Sequence, residues 1–531
     1  MLFLQHRLKK KRADRIMLEF LDLEYIKMVK ILDFVNKSIE PVSIDEIARH
    51  IKTVRKTANT LLVLIKSELK DFDFEIRMDS KKKYYLKNKY NAQKKTDYVN
   101  LDAYVLACGK RSIVFSMVEE LYHRGYINVT KFCTDKYISS ATFSRAKKQL
   151  TRTLNKSNLK LATHLKGGII GEEYYIRLFY FQFFNTFYNS IEWPFQQNQK
   201  IEMERFYQKK IAKITNELNF IQKSKLYYLI SITRKRLLQN NTLLENTYSF
   251  NEFKNYNEIY KICRDYLNDH GIWSEKDVAN ETNFFMYMIY SERIFSIDEE
   301  FLGNFILFSQ DNNECLKINQ IWIEEFKSSF KQKISLKDEF QIYQDLYILN
   351  QRHDLSLNRM SVFFKYENNL NSTVLNQKIY QQTKDFFYKL IENKEFSDFI
   401  KNGELNIQEN VVIEKYYHYI YTYLFNKKEI ESIKIFVSNT FDVLSEKFIK
   451  KKLLLLFGGN IEIQSQLNDQ TNLIITNSSM DQNYSEELLI SSYKDTASLN
   501  KIIYIIREKI NIQIDNCEMN KMEENKVENR R

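Results

Sequence analysis

The chain has 531 residues, of which 44% are hydrophobic, so it is long enough and apolar enough for several domains with their own cores. It contains only 10 Gly and 2 Pro, a composition that disfavours turn-rich β folds and favours long helices. The net charge is +12, and residues 1–170 hold 35 Lys and Arg against 18 Asp and Glu. The basic excess therefore lies in the N-terminal third, as expected if only that third meets nucleic acid.

Residues 1–96 have the pattern of a winged helix-turn-helix domain. Ser43, with Glu46 three residues later, predicts a capping box at a helix start. The predicted elements are helices over 23–35, 44–51 and 54–69, and wing strands over 72–77 and 81–86. The residues expected to contact DNA, on the open face of the third helix and in the wing, are Arg55, Lys56, Asn59, Lys81, Lys82 and Lys83. Wing lysines usually hold phosphate and do not read bases.

Residues 97–171 have a second pattern of this kind. The residues expected to share one face of a short helix are Val129, Phe132, Cys133 and Tyr137. Ser139 is a good N-cap for a longer helix over Ser140–Leu154. In that helix the apolar residues expected to face inward are Phe143, Ala146, Leu150 and Leu154. The opposite face offers Ser140, Thr142, Arg145, Lys148 and Arg152. Residues 159–170, which include Gly167 and Gly168, predict a β-hairpin wing.

The charge of this second segment is one-sided. No acidic residue occurs between Asp135 and Glu172, a stretch that holds eight basic residues. Crowding so much positive charge together on folding is unfavourable unless the partner is an anion. Two helices with a short turn and a basic outer face are typical of a helix-turn-helix, whose second helix enters the major groove of double-stranded DNA. The alternative is a basic, solvated helix pair.

The run Ile138-Ser-Ser-Ala-Thr-Phe-Ser-Arg145 resembles the Ile-Ser-x-x-Thr-x-x-Arg core of the helix-turn-helix in the Mga/AtxA family. The preceding residues 112–121 are similar to that family's lead-in helix. The family comprises cytoplasmic transcription regulators of Gram-positive bacteria, with two N-terminal domains of this kind. The resemblance implies a DNA-binding regulator of virulence genes, an activator, that forms a homodimer or higher oligomer through its C-terminal parts.

Residues 172–294 and 295–427 have helical periodicity, which alone indicates only a pair of all-α bundles. The resemblance implies that these are two PRDs, the helical phosphotransferase-regulated domains, and that phosphotransferase system proteins are partners. PRDs are regulated by histidine phosphorylation, so His270 and His353 are the candidate phosphorylation sites. A pure dimerisation module is the alternative.

Both histidines lie near the PRD motif positions and not on them. In the first PRD-like region the motif positions hold Tyr227 and Met288, and in the second the first position holds Asp345. These departures leave constitutive behaviour as an alternative to phosphocontrol.

Residues 428–512 alternate short apolar runs with helical patterns, which predicts a small α/β domain with a parallel sheet. This part resembles the EIIB fold of the sugar phosphotransferase system. Enzymatic EIIB proteins place a phospho-accepting Cys just after the first strand. The corresponding loop at 438–441 has no Cys, so phosphoryl transfer is not expected. Residues 513–531 form a charged tail.

The sequence lacks signals for catalysis. It contains no Walker loop, HExxH, GxSxG or GxGxxG motif, and its seven His and five Cys show no metal-ligand spacing. We therefore expect no enzyme activity, no metal and no cofactor. No apolar run is long enough to span a membrane, and residues 1–15 lack the apolar region of a signal peptide, so no membrane contact is expected. The basic run 7–15 is interpreted as a frayed tail, with a DNA-contacting arm as the alternative.

The predicted fold is a mostly α multidomain chain: two winged helix-turn-helix domains, two PRD-like bundles and an EIIB-like α/β domain. The predicted function is a DNA-binding transcription regulator of the cytoplasm. One alternative is a phosphotransferase-linked antiterminator that binds RNA, although two helix-turn-helix units argue against it. Another is a structural oligomer whose basic region binds an acidic protein.

Overall fold

A computed structural model describes residues 18–38, 40–89, 99–155, 159–162, 168–188, 191–213, 218–243, 258–269, 274–292, 294–295, 314–330, 334, 338–339, 341–343, 345–346, 377–401, 409–426, 432–438, 443–468, 470–476, 487–489, 499–500 and 502–510. The chain divides into two compact units. One comprises Met1–Leu375 with Gln381–Glu414, and the other Asn376–Tyr380 with Lys415–Arg531. The described residues are mostly helical with small sheets, which confirms the predicted fold class at this level.

The first unit begins with a module of three helices followed by a two-stranded sheet. Its elements are α1 Leu23–Lys37, α2 Ile44–His50, α3 Arg55–Glu68, β1 Phe74–Met78 and β2 Tyr84–Asn88. The predicted capping box is present, because the Glu46 backbone N–H donates to the Ser43 hydroxyl and the Ser43 N–H donates to the Glu46 carboxylate. The strands pair antiparallel, and Val42 forms an additional bridge to Tyr84. β1 begins two residues later than predicted, because a 3-10 turn, Leu69–Asp71, precedes it. β2 begins three residues later, because the turn between the strands includes residues 79–83.

A second module of the same kind follows. Its elements are α4 Asp102–Arg111, α5 Ile113–Arg124, α6 Val129–Asp135, α7 Ser140–Asn155, β3 Lys160–Leu161 and β4 Ile169–Ile170. The strands pair antiparallel as the predicted wing. The aromatic helix α8, Glu173–Tyr188, then starts, and most of its side chains are buried.

A short 3-10 turn, Leu18–Phe20, lies ahead of α1 and ties the two modules together. Phe20 is fully buried against rings of α8, with centroid distances of 5.5 Å to Phe183 and 6.0 Å to Phe179. The Gln149 amide of α7 donates to the backbone carbonyls of Glu19 and Leu21 at 2.8 and 3.2 Å. The turn that precedes the first module is therefore part of the core of the second.

Further polar contacts join the modules along their flank. Arg111, at the end of α4, pairs with Glu68 at the end of α3, 2.7 Å away. The Tyr104 hydroxyl donates to the same carboxylate at 2.8 Å. The Asn36 side chain exchanges two hydrogen bonds with the Val99 backbone, at 2.8 and 2.9 Å. These contacts link elements that are distant in sequence.

A helical bundle completes the well-packed part of the first unit. Its helices are α9 Gln197–Phe206, α10 Phe220–Leu238, α11 Glu258–Asp269 and α12 Glu275–Ser291. A π-helical turn, Tyr207–Ile211, extends α9. One continuous apolar cluster reaches from Phe20 to Phe295, so both winged modules and this bundle share a core.

Four charged side chains meet where α8 contacts this bundle, three of them buried and the fourth, Glu173, with a side chain 10% exposed. The Arg177 guanidinium donates to both oxygens of Glu281, and both side chains are 0% exposed. Arg177 also pairs with Glu173 at 2.9 Å, and Glu173 pairs with Arg236 at 2.6 Å. Burial alone lowers the pKa of Arg177, but the two carboxylates more than offset that effect and raise it above its ordinary value. The four charges therefore form an alternating, balanced chain.

Four helices follow: α13 Glu314–Phe330, α14 Gln377–Glu392, α15 Lys394–Lys401 and α16 Glu409–Asn426. Trp322 in α13 is fully buried and meets the Phe386 ring edge-on at 5.1 Å. The described part of this region is thus helical, as predicted.

The second unit contains the predicted parallel sheet. Its elements are β5 Ile433–Ser438, α17 Val443–Phe457, β6 Ile461–Gln464, β7 Leu473–Thr476 and β8 Glu487–Leu489. The strand order is β6-β5-β7-β8, and every pairing is parallel. Ile449 and Leu453 of α17 pack with the sheet residues in a separate apolar core. Of the loop after β5, residues 439–442 lie outside the described residues.

No helix among the described residues is long and apolar enough to cross a membrane.

Candidate nucleic-acid interface

In the helix-turn-helix of the second module, a side chain caps the start of each helix. The Asn128 side chain caps α6 by accepting from the Lys131 N–H at 3.1 Å. The Ser139 hydroxyl caps α7 by accepting from the Thr142 N–H at 3.1 Å, as the sequence predicts. Phe132 of α6 meets Phe143 of α7 at 5.7 Å, so the two helices share a small core.

The expectation that Tyr137 lies on the apolar face of α6 is wrong. The helix ends at Asp135, and Tyr137 falls in the turn, where it is 95% exposed. Phe132 is buried and Cys133 half-buried, whereas Val129 is exposed. A seven-residue helix is too short to carry the predicted face as far as residue 137.

Helix α7 separates its apolar and polar residues as predicted. Its predicted inward residues, Phe143, Ala146, Leu150 and Leu154, are all buried. Of the predicted outer residues, Ser140, Arg145, Lys148 and Arg152 are exposed. Thr142 departs from the prediction, because it is half-buried and its hydroxyl lies 2.9 Å from that of Ser139. It therefore stabilises the helix start.

Two exposed residues of this face were missed. Ala141 and Ser144 are exposed together with Ser140, and at 100° per residue Ser144 lies between Ser140 and Lys148 on the exposed arc. Small residues beside Lys148, with Arg145 at one edge of the arc, allow close approach to a groove. Their helical spacing could have identified them, but neither carries a charge that marks it as a contact to DNA.

The wing of the second module is seated on the end of α5. Gly125 caps α5 with a left-handed backbone, φ +79°. A Cβ at Gly168 would lie 2.6 Å from the Gly125 carbonyl oxygen, so only glycine allows the wing to pass this close. Residues 163–167 at the wing tip lie outside the described residues.

In the first module the three residues predicted on the open face of α3, Arg55, Lys56 and Asn59, are all exposed. Arg55 also lies 3.4 Å from Asp45, and both side chains are largely in solvent. Exposed pairs of this kind contribute little to stability, so Arg55 can exchange that partner for another anion.

The wing lysines of the first module lie in the turn between β1 and β2. The Asp79 carboxylate accepts from the backbone N–H groups of Lys81 and Lys83 at 2.9 and 2.8 Å. Lys82 adopts a left-handed backbone with φ +58°. Lys81 and Lys82 are exposed and Lys83 is half-buried, so the turn presents two ammonium groups fully to solvent.

The remaining predicted sites belong to the regions interpreted as PRDs. His270 and His353 lie outside the described residues. Tyr227 and Met288, which occupy two PRD motif positions, are buried. Within the described parts of the chain, no group of three or more His, Cys, Asp or Glu could hold a metal ion.

Residues 98–184 match the family described as the Mga helix-turn-helix domain. The chain carries an Mga domain. This domain runs from just before α4 into α8, and it includes the capped turn, helix α7 and the wing described above. The resemblance to the Mga-like regulators is thereby confirmed.

The chain is also similar to a protein of Streptococcus pneumoniae serotype 4 (strain ATCC BAA-334 / TIGR4) whose name describes a trans-acting regulator. The two are 21% identical over 436 residues, which cover 76% of this chain and 83% of the relative. Together with the Mga domain, this similarity supports a DNA-binding transcription regulator.

Proposed function

We propose that this protein is a transcription activator that binds promoter DNA with α7 in the major groove. The observation that carries this proposal is the exposed face of α7, where small and hydroxyl side chains lie among Arg145, Lys148 and Arg152. Arg and Lys supply phosphate contacts and can also bind guanine edges. In this proposal α3 and the first wing add a second contact, through Arg55, Lys56, Asn59, Lys81, Lys82 and Lys83.

The proposal is tested by measuring nucleic-acid binding in vitro and genome-wide DNA occupancy in the host. Filter binding of the full-length chain to duplex DNA, RNA and heparin across a salt series should show the strongest and most sequence-dependent binding to duplex DNA. Genome-wide occupancy should coincide with genes whose transcription falls in a deletion strain. Preference for RNA would favour the antiterminator, and equal binding to heparin would favour the structural oligomer. Repressed targets would contradict the activator role.

We further propose that the chain acts in the cytoplasm as a homodimer or higher oligomer. The second unit offers a surface for self-association, because α17 exposes three large apolar side chains on one side. Phe448 is 60%, Leu455 76% and Leu456 51% exposed, and spacings of seven and eight residues align them. Deleting the chain after Lys427 should then weaken self-association, measured by light scattering. A full-length monomer at micromolar concentration would contradict the proposal.

We also propose that the sugar phosphotransferase system controls this protein. In this proposal residues 172–294 and 295–427 are PRDs, and residues 428–512 form an EIIB-like domain. His270 is the first candidate and His353 the second. Incubation with the general phosphotransferase proteins and phosphoenolpyruvate should place acid-labile phosphate on one of them. Alanine and aspartate at that position should then shift reporter output in opposite directions. Without phosphate incorporation or an altered output, the PRD-like regions serve as scaffold only.

A further inference from the structure

Both helix-turn-helix turns are closed by a residue in the left-handed backbone region. In the Mga domain this residue is Tyr137, with φ +52°. The Tyr137 N–H donates to the Thr134 carbonyl at 3.2 Å, and the Ile138 N–H donates to the Cys133 carbonyl at 3.0 Å. These two bonds form the Schellman motif that ends many helices, in which the left-handed position is usually glycine.

The first module has the same turn with a different side chain. Lys52 follows α2 with φ +52°, its N–H donates to Arg49 at 3.3 Å, and the next N–H, of Thr53, donates to Ala48 at 2.9 Å. Lys52 is exposed. Neither module therefore uses glycine where the backbone favours it, and both present a long side chain that can bind a phosphate.

Tyr137 does little for the stability of the fold. A left-handed backbone is unfavourable for a bulky residue, because its Cβ crowds the following carbonyl oxygen. At 95% exposure, it is the most exposed large hydrophobic side chain among the described residues, so its ring also gains nothing from burial. A strained and exposed aromatic side chain is therefore better explained by a partner than by folding.

The position of Tyr137 indicates which partner. It lies two residues before the Ser139 cap of α7, beside the helix end that enters the groove in this type of domain. The neighbouring Lys136 and Lys131 are exposed, with Asp135 as an exposed acid between them. A side chain at the edge of the groove meets the sugar-phosphate backbone, and Tyr is among the residues that bind it.

We propose that Tyr137 is a DNA-backbone contact, with its hydroxyl donating to a phosphate oxygen and its ring packed on a deoxyribose, and that Lys52 holds the equivalent place in the first module. This inference rests on the proposed DNA-binding function. It adds a contact that depends on an exposed turn residue and that is independent of base sequence.

The experiment compares Tyr137→Gly, Tyr137→Asn and Tyr137→Phe in the full-length protein. The probes are a mixed-sequence duplex and a promoter duplex selected from host DNA, with fluorescence anisotropy over a salt series. Tyr137→Gly should weaken binding to both duplexes about 5-fold, the effect of losing roughly 1 kcal/mol. Its melting temperature should equal or exceed that of the wild type, because glycine relieves the backbone strain. Asn also tolerates this backbone and should weaken binding similarly, while Phe should lose only the part due to the hydroxyl.

Two further variants calibrate the result. Lys52→Gly should also weaken binding, but it should lower the salt slope by roughly 0.9, whereas Tyr137→Gly should leave the slope unchanged because tyrosine carries no charge. Tyr504→Ala, which changes a tyrosine 56% exposed in the second unit, should bind as the wild type does. Wild-type affinity in both Tyr137→Gly and Tyr137→Asn would overturn the inference. A wild-type protein that binds neither duplex would instead overturn the proposed function itself.

Discussion

Breaking the buried charge chain at the start of α8 should be among the most destabilising single changes in the first unit. We consider Arg177→Met and Glu281→Met, which keep an unbranched apolar side chain at each position. Both native side chains are fully buried, so each change leaves a charge that water cannot reach. Removing one partner of a buried pair typically costs about 3–5 kcal/mol.

The contacts that remain decide the order of the two effects. Without Arg177, the described donor left to Glu281 is the backbone N–H of Leu243, at 3.0 Å. Without Glu281, Arg177 still pairs with Glu173 at 2.9 Å and donates to the Asn241 carbonyl at 2.9 Å. We therefore expect Arg177→Met to lower the free energy of unfolding by about 5 kcal/mol, and Glu281→Met to lower it by about 3 kcal/mol.

The double variant should be far milder than the sum of the single ones. It removes one positive and one negative charge and leaves Glu173 paired with Arg236 at 2.6 Å, a balanced pair. Replacement of a whole buried pair by apolar side chains is often close to neutral. The coupling energy between positions 177 and 281 should accordingly exceed about 2 kcal/mol, well above that of independent sites.

Hydrogen–deuterium exchange of the full-length protein measures these effects as local opening free energies in peptides of α8, α10 and α12. Arg234→Met is the matched control, because its partner Glu202 is 40% exposed and the pair should contribute only about 0–1 kcal/mol. A stability loss for Arg177→Met no larger than that of this control, or a double variant equal to the sum of the single ones, would refute the role of the buried pair.

Three further predictions concern DNA binding and assembly. Arg145→Ala should cost roughly 1–3 kcal/mol of promoter binding if the guanidinium pairs with a base edge, and normal promoter binding and activation by the folded variant would remove this role. Replacing Lys81, Lys82 and Lys83 together by Ala should weaken binding to all sequences alike and lower the salt slope by up to roughly 3, whereas an unchanged slope would mean that these lysines only face solvent. Leu455→Lys should shift the mass measured by light scattering toward that of the monomer, because it puts a charge on the exposed face of α17. Gln466→Lys is the control, because it adds the same charge elsewhere in the second unit. Equal masses for the two variants would contradict the proposed assembly surface.

The features that could be predicted from the sequence are those fixed by local signals. Helix α7 was recognisable because its apolar spacing and the Ser139 hydroxyl both act within a few residues. The capping box at Ser43 and both hairpin wings were predicted for the same reason.

The features that were missed depend on distant contacts or on residues that violate a preference. Tyr137 occupies a turn position that glycine usually marks, so the apolar face predicted for the short helix was carried two residues past its end at Asp135. Gln149 reads as an ordinary helix-surface residue, yet its amide binds a backbone turn about 130 residues earlier. Glu281 also reads as solvent-facing, because charged residues are rarely buried without a partner and its partner lies in another helix.

The burial of Phe20 has a consequence for the order in which the protein can fold during synthesis. Its pocket is formed by rings of α5 and α8, since Phe115 packs against the same Phe183 and Phe187 that Phe20 contacts. At 5–20 residues per second, Phe187 leaves the ribosome roughly ten to thirty seconds after Phe20. Throughout that interval Phe20 lacks the α8 rings against which it packs. The aromatic part of the junction between the two winged modules is therefore completed only once α8 has been made.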